Sequence, residues 1–136
     1  MKKRSAFCML LTIAILSCTF ASARASLYLS NYGAYAFEGN RGEVIIEFNV
    51  TANQFSDKVG ASKITLYRSN GLMDRGTTGS TSNGLLIASD MFHYGTYTFD
   101  NLVPGNYYYA EVTIYVEVDG ASDSRVVKTN LVCAPY

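Results

Sequence analysis

Few residues in this chain have the types and spacing for covalent chemistry. His93 is the single histidine, so a Ser-His-Asp triad would have to be built on it. Asp90, three residues upstream, is the candidate to orient the ring. No Gly-x-Ser-x-Gly elbow presents a nucleophile, and His93 reads as a loop residue. Cys-His chemistry would need Cys133 to meet His93 across the domain, and nothing in the sequence supports that. Cys133 reads as a small apolar residue on the last strand, with a disulfide-linked dimer or a reactive thiol as the alternatives. Glu111 and Glu117 share a strand face but stand six residues apart, roughly 20 Å at strand rise, too far for a glycosidase pair. Asp119 and Asp123 flank a turn where backbone carbonyls could join them around a hard cation, yet the spacing fits no calcium-loop motif. Neither a metal site nor a cofactor is expected.

Tyrosine points instead to noncovalent recognition. All eleven tyrosines lie beyond residue 26. Tyr107, Tyr109 and Tyr115 project from the polar side of one strand, beside Glu and Thr. Flat aromatic rings in such company can stack on sugars or anchor a protein partner, because tyrosine brings area at low entropic cost. The alternative is cross-strand packing on a sheet face.

Strands must position these residues, because the periodicity is two. Val44, Ile46, Phe48 and Val50 alternate with Ile45, Glu47, Asn49 and Thr51. Tyr108, Ala110, Val112, Ile114, Val116 and Val118 alternate with Tyr107, Tyr109, Glu111, Thr113, Tyr115 and Glu117. Long alternation of β-branched and aromatic types predicts strands wet on one face. Further strands are expected over 27–37, bent at Gly33, and over 62–68, 94–99 and 125–133. Turns fall at 38–42, Asn70-Gly71 and Asp119-Gly120, and 74–84 reads as a loop. Residues 85–92 read as a short strand and a loop. Seven or eight strands with frequent turns predict an all-β, two-sheet antiparallel sandwich. Lys63, Arg68, Arg125 and Lys128 are the charges expected to guard its edges.

The first 25 residues read as a cleavable signal peptide. Lys2, Lys3 and Arg4 precede an uncharged run from Ala6 to Phe20, and Ala23-Arg24-Ala25 supplies the small-x-small cleavage pattern. Two alternatives stand. The stretch 5–23 approaches the length of a membrane anchor. Ile15-Leu16-Ser17-Cys18 resembles a lipobox, which would leave the protein lipid-anchored at Cys18. Cleavage before Ser26 leaves one domain, 26–136. It also removes four of the eleven basic residues and two of the three cysteines. The remaining seven basic residues face eleven acidic ones, so the domain is acidic. It has no basic footprint for nucleic acid, no membrane span after cleavage, and no internal disulfide.

The run Phe99-Asp-Asn-Leu102-Val-Pro104-Gly105-Asn-Tyr-Tyr108 resembles the corner between the fifth and sixth strands of fibronectin type III and related immunoglobulin-like domains. The resemblance implies that Leu102, Pro104, Gly105 and Tyr108 fold over one end of a sandwich. The tyrosine ring would then be buried, its hydroxyl tied to the preceding loop. Those domains carry a core Trp on the second strand; here Phe48 is the candidate for that place. The whole chain is similar to small uncharacterised secreted proteins of Gram-positive bacteria that pair a leader with one such domain. They carry a segment like Asp57-Lys-Val-Gly-Ala-Ser-Lys-Ile-Thr-Leu-Tyr-Arg-Ser-Asn-Gly71. That likeness implies no active site. The resulting expectation is a secreted, non-enzymatic binding or adhesion module for an extracellular protein or glycan. A self-assembling surface protein is the alternative, and a small hydrolase comes last.

Overall fold

The computed structural model describes residues 27–136, so the expected signal peptide and the lipobox-like run ending at Cys18 fall outside the described residues. Seven antiparallel strands follow in order: β1 Leu29–Glu38, β2 Val44–Arg68, β3 Met73–Thr78, β4 Leu86–Phe99, β5 Tyr107–Val118, β6 Ala121–Lys128 and β7 Val132–Cys133. No helix among the described residues is long and apolar enough to cross a membrane.

All seven belong to one strongly curled sheet, where two separate sheets were expected. The cause is β2, whose 25 residues run through both halves. Its first part, from Val44, pairs with β1 on one side and β4 on the other. Its second part, from Lys58 to Arg68, pairs with β5, and β3 lies on the opposite side. No proline or tight turn divides the halves. The chain bends instead through register shifts between Thr51 and Ser56 and between Ala61 and Lys63. Extra residues of this kind sharpen local twist and curl a strand. Gly60, in the bend at φ +147°, adopts a backbone conformation that side-chain-bearing residues avoid.

The alternation sorts the side chains as the sequence implied. Val44, Ile46, Phe48 and Val50 of β2 pack inside the curl against Tyr108, Ala110, Val112, Ile114 and Val116 of β5. Asp119 and Gly120, both at positive φ, make the two-residue turn between β5 and β6.

Four expectations need correction. Gly33 sits in register opposite Asn49, and the irregularity in β1 lies earlier, between Leu29 and Asn31. Part of the 74–84 loop is strand β3. Residues 86–99 form one strand, interrupted only by Ser89 at φ +56°. Residues 125–133 form two strands rather than one. There, the Thr129 hydroxyl accepts the Ala110 N–H at 2.9 Å, replacing a ladder bond, and Asn130 turns toward β1. Of the four expected edge charges, Lys63 and Arg68 lie on the interior strand β2, whereas Arg125 and Lys128 lie on the edge strand β6.

Candidate functional site

The outer face of β5 carries Tyr107, Tyr109 and Tyr115, but each is in a different setting. Tyr109 stacks on Tyr67 of β2, with centroids 5.2 Å apart and planes 12° from parallel. The Lys128 ammonium lies 4.0 Å above its ring, in cation–π contact. Partial burial, with the Glu111 carboxylate close by, holds the Tyr67 pKa above its ordinary value. Tyr107 is exposed at the strand end. It borders a shallow cleft of about 260 Å³ with Arg68, Ser69, Asn70, Gly105 and Asn106, below the roughly 300 Å³ at which small-molecule pockets begin. Tyr115 donates a 2.6 Å hydrogen bond to Glu117, which also pairs with Lys58 at 3.4 Å. About 20 Å of strand separates Tyr109 from Tyr115, so the three tyrosines form no single platform.

The Tyr115–Glu117 contact has a measurable consequence. Hydrogen bonding to the carboxylate raises the tyrosine pKa, with desolvation adding to the effect and a Ser122 hydrogen bond opposing it. The same hydroxyl, aided by Lys58, lowers the glutamate pKa against partial desolvation. Because the folded-state pKa of Glu117 is depressed, its contribution to stability is present above the ordinary glutamate pKa and is lost as pH falls through the folded value. Tyr115→Phe is expected to raise the Glu117 pKa toward the ordinary value, read as a carboxyl chemical-shift titration by NMR. An unmoved midpoint would contradict the hydrogen bond.

A second aromatic face, built by β1, β2 and β4, was not legible in the sequence. The pairing sets four rows across these strands: Phe37–Ile45–Thr98, Tyr35–Glu47–Thr96, Gly33–Asn49–Tyr94 and Asn31–Thr51–Phe92. Tyr35, Tyr94, Phe92 and Phe37 are 59%, 52%, 50% and 46% exposed, all in one stripe crossing the face diagonally. Strand spacing and rise put Tyr35 and Tyr94 about 12 Å apart at their Cα positions. Between them lie Glu47 and Asn49. The Glu47 carboxylate acting on the Tyr94 hydroxyl, together with desolvation, raises the tyrosine pKa. Beside Tyr35, Gly33 leaves space for the Asn49 side-chain oxygen, which would stand 3.0 Å from a Cβ there. One sequence signal was available. In β1 the small Ala34 and Ala36 face the core while Tyr35 and Phe37 face water, the reverse of ordinary amphipathic order.

The remaining candidates are tied into the fold. His93 belongs to β4, not to a loop; its ring meets Phe48 edge-on at 5.5 Å, and its Nε2 lies 2.8 Å from the Gly84 carbonyl. Asp90 accepts the N–H groups of Met91 and Phe92 rather than orienting His93. Asp123 pairs with Arg125 at 3.0 Å and accepts the Tyr28 N–H. Cys133 is half-buried on β7. No group of three or more His, Cys, Asp or Glu among the described residues could hold a metal ion. At the corner, Tyr108 is fully buried and its hydroxyl accepts the Val103 N–H at 3.2 Å. Leu102 is buried beside it, and the Gly105 N–H donates to the Ala134 carbonyl.

No family model matches the chain, and no curated protein sequence matches it. Among solved structures, the chain is similar to an X-ray structure of SoR45, a Northeast Structural Genomics Consortium target. The likeness has a TM-score of 0.45 at 11% identity and covers 82% of this chain and 90% of that one.

Proposed function

We propose that the protein is an exported, non-enzymatic binding module, held outside the cell or at the envelope, that takes its ligand on the β1–β2–β4 face. The carrying observation is the diagonal stripe of Tyr35, Phe37, Phe92 and Tyr94, left half-exposed on a rigid sheet. Rings fixed by strand pairing present area with little ordering cost on binding. The Glu47 carboxylate and Asn49 amide between them add hydrogen-bonding groups. An aromatic stripe with polar groups at its centre suits a glycan, whose ring faces are apolar and whose hydroxyls need partners. The Tyr107, Tyr109 and Tyr115 side of the sheet is the secondary surface.

The fold itself is read as a fibronectin-III-like sandwich whose second and third strands have fused into β2. The grouping of β1, early β2 and β4 against β3, late β2, β5 and β6 supports this reading, as does the Tyr108 corner.

Retention of the exported domain on insoluble cell-wall polysaccharide tests the binding reading. Tyr35→Ser/Tyr94→Ser is expected to weaken retention by about 10- to 100-fold, the scale on which removal of aromatic anchors is felt, with the circular dichroism spectrum unchanged. Tyr107→Ser/Tyr109→Ser/Tyr115→Ser is expected to have the smaller effect. Wild-type protein that washes through, or equal retention of all three proteins, would refute the assignment.

A further inference from the structure

We infer that the free edge of β4 is a self-association surface, pairing antiparallel with β4 of a second copy of this chain. The inference does not depend on what the aromatic face binds. A sheet edge is a row of unpaired N–H and C=O groups, and edges are ordinarily guarded by charge, proline, shortness or a cover. Among the described residues this sheet has five edge strands: β1, β3, β4, β6 and β7. The β7 strand is only two residues long, and β1, β3 and β6 carry other guards.

On β1, the Asn130 side chain takes both backbone groups of Ala36, accepting its N–H at 2.8 Å and donating to its carbonyl at 2.9 Å. Upstream of β1, Asp123 of β6 accepts the Tyr28 N–H at 3.3 Å. The β6 strand carries Asp123, Arg125 and Lys128 within its eight residues. The β3 strand is six residues long and bears the Asp74–Arg75 ion pair at 2.9 Å, with Arg68 on the same carboxylate.

The β4 strand has none of these guards over most of its length. It spans fourteen residues and pairs only with β2. Asp90 occupies the N–H groups of Met91 and Phe92 at the start. From there to Phe99 the run Met-Phe-His-Tyr-Gly-Thr-Tyr-Thr-Phe contains no Lys, Arg, Asp, Glu or Pro. With the Met91 and Phe92 N–H groups taken, the open edge from His93 to Phe99 is about 23 Å at strand rise.

Self-complementarity selects the occupant. An antiparallel strand meets its own copy across a two-fold axis, so every hydrogen bond made on one side is repeated on the other. The domain as a whole is acidic, yet between Asp90 and Asp100 this edge carries no Lys, Arg, Asp or Glu, so two copies can pair along it without like charges directly opposed. Pairing would also carry the β1–β2–β4 face into the partner, bringing two aromatic stripes onto one surface. A contact along one strand edge belongs with the small interfaces, below about 1,200 Å², where association is weak and transient.

Sedimentation velocity of the exported domain from low micromolar to near-millimolar concentration is the test. A concentration-dependent monomer–dimer equilibrium is expected. Thr96→Lys/Thr98→Lys, which puts charge on two exposed positions of β4, is expected to leave only monomer. Val126→Lys on β6, also exposed, should leave the dimer intact. Hydrogen exchange read by NMR is expected to slow with concentration at β4 amides and not at β6 amides. Monomer at every concentration would overturn the inference. So would a dimer that survives the β4 charges, one that is lost in Val126→Lys, or one that disappears under a reductant and thus rests on Cys133.

Discussion

Gly60→Ala is expected to destabilise the domain by roughly 3–5 kcal/mol, the sum of left-handed backbone strain, steric overpacking and one endangered hydrogen bond. Gly60 stands where β2 bends from one half of the sheet to the other, at φ +147°. A methyl there would collide with the Leu85 carbonyl oxygen and press at 3.0 Å on Leu86 Cα and the His93 ring. The carbonyl has little freedom to retreat, because it accepts the Ala61 N–H at 2.8 Å. Any shift that relieves the clash therefore weakens the bond that pins the 80–86 segment to the bend. A domain of this size has about 5–15 kcal/mol of total stability, so the substitution removes a large share of it. Urea denaturation followed by tyrosine fluorescence checks this. A midpoint within experimental error of wild type would mean that the backbone at the bend is not as described.

That bend also marks the limit of what the residue pattern reveals. Alternation identified the paired faces of early β2 and of β5, because burial on one side of a strand imposes period two on the side chains themselves. The Asp119-Gly120 turn was legible for a similarly local reason: positive φ at two successive residues selects those types. Whether Val44–Val50 and Ser62–Arg68 are separate strands or one depends on residues 52–61. Their polar-rich composition resembles a loop, while their backbone is held in place by partners about 30 to 60 residues away in β4 and β5. The aromatic face is hidden in the sequence for the same reason. Tyr35 and Phe37 lie on β1 and Phe92 and Tyr94 on β4, so their proximity exists only in the register of three strands. By contrast, Tyr107, Tyr109 and Tyr115 are neighbours in sequence, and that nearness suggested a platform that the Tyr67–Tyr109 stack and the Tyr115–Glu117 bond divide.

Phe48→Ala is expected to cost about 3–5 kcal/mol, as truncation of a buried phenylalanine does, and its dependence on Gly95 is more informative than the loss itself. Phe48 is 1% exposed and pairs with Gly95 across the β2–β4 ladder. Its ring lies so close over Gly95 that an added Cβ would overlap three of the ring carbons. The phenylalanine thus occupies volume that a side chain on β4 would otherwise fill, with His93 closing its edge. Gly95→Ala alone should then cost about 1–3 kcal/mol through overpacking. In Phe48→Ala/Gly95→Ala the new methyl has space and fills part of the cavity. The double variant is therefore expected to be more stable than the sum of the single changes implies, by about 1–2 kcal/mol, within the range measured for residues in contact. Simple additivity in a denaturation cycle would show that the ring does not rest on Gly95. A positive coupling of that size would make Phe48 and Gly95 one packing unit, the contact that fixes β4 to β2 and holds the aromatic stripe of β4 in register with that of β1.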